Sequence, residues 1–150
     1  MSDNISASVM FCDDVRFEVG GKITIVGVYR GILGLDISVM SIPKLVALVI
    51  LKYPKNLVGL GVSIRVMDRG KSLLQAKISL ATSLPMRPEL LSGGVALDCV
   101  YANVPVEIHS FAPEDGARLC VEIDTEDFHF QSEELLVVRP RTSDLFASAG

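Results

Sequence analysis

The chain has 150 residues, 49% of them hydrophobic and 21% charged, with a net charge of −4. That length suits one domain with one core, and the balance lies far from the low-hydropathy, high-charge composition of disordered chains. Lys and Arg are scattered singly, with no basic stripe to release counterions from a phosphate backbone, so nucleic acid is not expected as a partner.

The N-terminal stretch Met1 to Ser8 has Asp3 and no early Lys or Arg, and no apolar segment of about 7 to 15 residues precedes a small-residue cleavage site. Export is not indicated. The longest apolar run, Leu45 to Leu51, falls far short of the roughly 20 residues that span a bilayer, so no membrane partner is expected. Three cysteines, Cys12, Cys99 and Cys120, are widely spaced without a CxxC motif. They suggest neither a disulfide framework nor a zinc site, and a reducing cytoplasm fits best.

Alternation with period two recurs along the chain, with turn residues between the runs, and no long stretch has helical period. The first hairpin is expected over residues 15 to 30. A three-residue loop Val19-Gly20-Gly21 sets Glu18 opposite Lys22, Phe17 opposite Ile23 and Val15 opposite Ile25. Val26 and Val28 then fall on the other face, so the end of that strand is expected to be covered on both sides or to change sheet at Gly27.

Leu45 to Leu51 has no alternation and lies between Pro43 and Pro54, which predicts a strand buried on both faces at the centre of a sheet. Leu60, Val62, Ile64 and Val66 form the apolar face of one strand, and Leu74, Ala76, Ile78 and Leu80 that of the next. A three-residue loop Asp68-Arg69-Gly70 sets Ile64 opposite Leu74 and Leu60 opposite Ile78. A two-residue loop would put Gln75 and Lys77 opposite buried residues. The longer loop is therefore expected.

Residues 84 to 94, with Pro85, Pro88, Gly93 and Gly94, read as the one long irregular connection. Beyond it, Val104, Val106 and Ile108, then Leu119, Val121 and Ile123, alternate on either side of an Asp115-Gly116 turn. Phe128 and Phe130 follow, then Leu135 to Val138. Residues 1–141 thus form one domain and 142–150 a frayed tail. About eight short strands predict an all-β, antiparallel β-sandwich of immunoglobulin-like topology.

Few residues offer chemistry. Gly70-Lys71-Ser72 imitates the end of a phosphate-binding loop, but Arg65 stands where that motif needs Gly and a strand follows where a helix should. Gly20-Gly21-Lys22 fails because Ile23 cannot supply a hydroxyl to magnesium. The cysteines lie in strand-like stretches as small apolar fillers, and His109 and His129 on polar strand faces, so no catalytic thiol pair is expected. Asp13-Asp14 and Asp124-Thr125-Glu126-Asp127 lack the spacing of a calcium loop, and solvated turn carboxylates account for them. No cofactor or metal is expected.

The stretch Phe11-Cys12-Asp13-Asp14-Val15-Arg16, with Gly20-Gly21-Lys22 and Ile25-Val26-Gly27-Val28-Tyr29, resembles a family of short bacterial proteins of unknown function. The resemblance implies a bacterial or phage source and supplies no activity or site. Residues 59–80 and 115–138 resemble the general strand pattern of immunoglobulin-like sandwiches.

Two groups of residues remain as candidates. Asp13, Asp14 and Arg16 could form a charge network that orients the first hairpin against a neighbouring loop; the plainer reading is a strand break solvated by Asp13 and Asp14. Met67, Leu73 and Leu33 are expected to point away from the main core, either as an apolar interaction surface or covered by a second layer. The expected role is a non-catalytic module that binds a protein partner or itself. The alternatives are a carrier of a small apolar ligand between the sheets, and a metal-dependent enzyme that would need Asp13 or Asp14 beside Asp124 or Asp127.

Overall fold

A computed structural model describes residues 5–36, 38–57, 59–80 and 99–139. Eleven strands lie among them: β1 (Ser6–Cys12), β2 (Asp14–Phe17), β3 (Ile23–Val26), β4 (Ile32–Gly34), β5 (Ile42–Pro54), β6 (Gly61–Asp68), β7 (Lys71–Ser79), β8 (Cys99–Phe111), β9 (Arg118–Asp124), β10 (His129–Gln131) and β11 (Leu135–Val138), with one short 3-10 turn at Lys55–Leu57. The protein is nearly all β, as expected, but its strands are more numerous than eight and its pairing is mixed. β4 runs parallel to β11. The expected irregular connection at 84–94 and the tail at 142–150 lie outside the described residues.

Three strands form one sheet in the order β1-β5-β8. β5 is its centre because Leu45 to Leu51 offers no polar face: Leu45, Ala47, Val49 and Leu51 enter the main hydrophobic cluster, while Val46 and Leu48 are buried outside it, on the opposite face. The second sheet has the order β4-β11-β9-β6-β7, with β10 also on β9. Val62, Ile64 and Val66 of β6 and Leu119, Val121 and Ile123 of β9 join Leu135 and Val137 of β11 in the same cluster. Two open sheets thus share one core, and Leu33 belongs to it at 2% exposure. Its expected outward direction is corrected by the short parallel pairing of β4, which turns Leu33 inward beside Val137.

The β6–β7 hairpin corrects the expected register. Val62 faces Ile78, Ile64 faces Ala76 and Val66 faces Leu74, but Met67 faces Ser72 and Asp68 faces Lys71. The loop is the two residues Arg69 and Gly70, both at positive φ (45° and 83°), as a type I′ turn requires. The polar residues it would have turned inward are kept out by Leu73, the extra residue at which the register shifts. A β-bulge there restores the apolar pairs. Because the bulge carries one residue with no partner, deleting one leucine of the Leu73-Leu74 pair leaves every other pair intact. Such a deletion is expected to change stability by no more than about 1 kcal/mol in thermal unfolding. A loss as large as a core truncation would show that the bulge itself is needed.

The first hairpin has the register expected of it: Val15 faces Ile25, Phe17 faces Ile23, and the Glu18 N–H donates to the Lys22 carbonyl at 2.8 Å. It ends earlier than residue 30. At Gly27 (φ 66°) the chain leaves β3, and Tyr29 forms a bridge to Phe11 on β1. Val26 and Val28 are 39% and 47% exposed, so they are not covered on both sides. β2 and β3 pair with each other and with neither larger sheet. β2 instead packs on β5, where Lys44 meets Asp14, so the hairpin lies over the face that holds Val46 and Leu48.

Candidate functional site

The acidic pair after β1 splits into two functions. The Asp13 N–H donates to the carbonyls of Val26 (2.9 Å) and Gly27 (3.2 Å), and its carboxylate accepts from the Tyr29 hydroxyl. The Tyr29 N–H returns to the Phe11 carbonyl at 2.9 Å. These bonds close the root of the hairpin onto β1. Burial, then the hydrogen bond to the Asp13 carboxylate, pushes the Tyr29 phenol up to about 12 from an ordinary 10.0. A raised phenol favours the folded state while neutral in both states. That contribution is complete below about 10 and is lost as pH rises to about 12. A spectrophotometric titration should therefore show two late tyrosines, Tyr29 and Tyr53, whose phenol burial also raises, and Tyr29→Phe should remove one of them; loss of only an ordinary tyrosine in Tyr29→Phe would contradict the contact.

Asp14 points the other way. Lys44 on β5 donates to Oδ1 and Arg16 Nε to Oδ2 at 3.1 Å, and Glu107 on β8 lies 4.0 Å from Lys44 and 2.9 Å from the His109 ring. The Lys44 bond, then the Arg16 bond, holds the Asp14 carboxyl below the usual carboxylate range. The network thus joins Asp14 and Arg16 to the central strand rather than to a loop, and Asp13 stands outside it. Each carboxylate is occupied by a hydrogen bond or an ion pair.

The second acidic segment lies on the other sheet. Arg65 Nη2 on β6 reaches Glu122 at 2.8 Å and Asp124 at 2.7 Å across the β6–β9 pairing, and His129 Nδ1 meets the other Asp124 oxygen. The hydrogen bond from His129 and that from Arg65 hold the Asp124 carboxyl low. The Thr125 hydroxyl accepts from the backbone N–H groups of Asp127 (3.3 Å) and Phe128 (3.0 Å), a turn held by its own side chain. The structure therefore does not bring Asp13 or Asp14 together with Asp124 or Asp127 on shared partners. Among the described residues no group of three or more His, Cys, Asp and Glu is placed to hold a metal ion.

Cys12 and Cys120 are buried, and burial raises both thiols, with the Asp13 and Asp14 charges adding to it at Cys12. Their thiolates are disfavoured, the opposite of what a nucleophile needs. Gly70-Lys71-Ser72 forms a turn running into β7, with no helix N-terminus to hold phosphate. Met67 lies opposite Cys120, outside the main cluster, yet is only 8% exposed, so it offers no open surface. Leu73 is 41% exposed at the bulge. The two do not form the expected common patch.

One concave site among the described residues was not visible in the chain order. Where β7 and β8, each the last strand of its sheet among the described residues, come near one another, a cleft of about 600 Å3 opens between them and the tip of the first hairpin. Tyr53, Ile78, Leu80 and Val104 give it apolar walls, and Phe17 and Tyr101 stand at it 61% and 56% exposed. Glu18, Lys22, Ser79 and Asn103 supply the polar groups. The only signal in the sequence was Phe17, an aromatic residue at the end of a hairpin strand. The walls come from four separate segments of chain, so no spacing pattern joins them.

Both edges beside the cleft are blunted against strand addition. β7 carries the bulge at Leu73 and edge lysines Lys71 and Lys77, and β8 has Pro105, which has no N–H to donate. The open apolar surface here is therefore made of side chains rather than of backbone. No protein-family model and no curated protein matches the sequence. Among the described residues no helix is long and apolar enough to cross a membrane.

Proposed function

We propose that this protein is a non-catalytic binding or assembly module, an open β-sandwich of immunoglobulin-like kind. It takes an apolar side chain of a protein partner, a second copy of this chain included, into the cleft between β7, β8 and the first hairpin. The observation that carries this reading is the cleft itself, apolar in its walls and bordered by the exposed aromatics Phe17 and Tyr101. Exposed aromatic side chains at a concave apolar site are the usual anchors of interfaces. The blunted edges favour side-chain docking over added strands. Cys12, Cys99 and Cys120 are all free, in keeping with a reducing cytoplasm, and the net charge of −4 argues for protein rather than nucleic acid. A bacterial or phage source belongs to the same reading.

The second reading, a carrier of a small apolar molecule, is favoured by the cleft's size, within the roughly 300–1,000 Å3 of small-ligand sites. Light scattering after gel filtration, with native mass spectrometry of the same peak, separates the two. Assembly predicts a multiple of 16.2 kDa that falls to the monomer in Phe17→Glu/Tyr101→Glu. A monomer with added small-molecule mass, lost in the same double variant, selects the carrier. A bare monomer that gives no saturable binding to hydrophobic peptides or fatty acids overturns both.

A further inference from the structure

Among the described residues, the polar contacts that attach the first hairpin to the larger sheets lie at one end of it, while β2 packs on the outer face of β5. Among the described residues the hairpin's strands pair with each other and with no other strand, and no residue of β2 or β3 is fully buried. An isolated two-stranded hairpin is marginal in water, so the attachment decides whether this one stays docked. The polar contacts that tie it to the first sheet fall at its root: Asp13 to Val26 and Gly27, Tyr29 to Phe11 and Asp13, and Lys44 to Asp14. At the tip, by contrast, Glu18 bonds Lys22 and Thr24 within the hairpin itself. Phe17 and Ile23 face the cleft there, and Val19 is fully exposed.

The root has the geometry of a hinge. Gly27 is at φ +66°, and the Asp13 carboxylate occupies the place a β-carbon would take, so the chain turns sharply against a fixed polar group. We infer that residues 14–26 are a flap, hinged at Asp13 and Gly27 and latched by the Asp14–Lys44 pair, that opens the cleft beneath its tip while both larger sheets stay folded. The inference adds regulation of access to the binding reading given above. It requires only that the hairpin detach as a unit, as weakly attached elements do.

Hydrogen exchange on the full chain without any ligand tests it. Amides of residues 15–25 should exchange by a local opening, while those of residues 45–51 and 119–123 exchange only with global unfolding. Asp14→Asn and Lys44→Met should each speed exchange in 15–25 by about two- to fivefold, the range of an exposed ion pair, and leave the core amides unchanged. Hairpin amides as slow as the core, or latch variants that speed both regions equally, would overturn the flap. Because no ligand takes part, a flap that opens in a protein whose cleft binds nothing refutes the binding reading and leaves the hinge standing.

Discussion

Gly27→Ala is expected to destabilise the protein by about 2–4 kcal/mol, a large share of a small domain's stability. The new β-carbon would meet the Asp13 Oδ2 at 1.9 Å and its Cγ at 2.6 Å, distances that cannot be kept. Its φ of +66° adds the steric penalty of a left-handed residue, about 1–2 kcal/mol. Moving the carboxylate also breaks its bond with Tyr29, worth about 1 kcal/mol. Urea unfolding of Gly27→Ala, Asp13→Ala and the double variant checks the argument. The double variant should be more stable than additivity predicts, because Asp13→Ala removes the clashing atoms while the φ penalty remains. Strict additivity would show that the two residues do not press on one another.

Leu48→Ala is expected to cost about 2–5 kcal/mol, the range for truncating a fully buried leucine. Leu48 has no exposed surface, yet it lies outside the main cluster, between Met10 and Pro105 on the face of β5 that the first hairpin overlies. The substitution should therefore weaken docking of the hairpin as well as the whole fold, seen as faster exchange at residues 15–25 in excess of the global change. Leu73→Ala, at the exposed bulge, should stay within about 0.5 kcal/mol by the same thermal or urea measurement. Equal costs at the two leucines would mean that the outer face of β5 is not a packed layer.

The residues that were legible are those whose meaning is local. Leu45 to Leu51 announced a doubly buried strand because seven successive apolar residues leave no face for water. Val19-Gly20-Gly21 announced its hairpin because glycines there suit the positive φ the turn needs. The second hairpin was harder: alternation identified its inward residues, but the same inward set fits registers two residues apart. The Arg69-Gly70 turn and the bulge at Leu73 select between them. Arg69 at positive φ is not a residue that sequence reasoning places in such a turn.

Leu33's direction was misjudged, and the cover over Met67 left open, for a related reason. Their direction depends on which strand lies alongside and what covers the outer face, and β4 finds its partner in β11, about a hundred residues away. The charge network was legible in part: Asp14 and Arg16 are two residues apart on one strand, but Lys44 and Glu107 come from two others. The cleft was not legible at all, since Phe17, Tyr53, Ile78 and Tyr101 become neighbours only when the edges of two sheets converge.

By itself, then, the order of amino acids determined the β class, the inward face of most strands and the central place of β5. Those follow from period-two patterning and turn chemistry, which act over a few residues. Strand order, the parallel pair, the bulge, the burial of Met67 and the cleft under the hairpin were decided by tertiary structure. Each depends on contacts between segments far apart in the chain, where the gain from burial must be weighed against every competing arrangement at once.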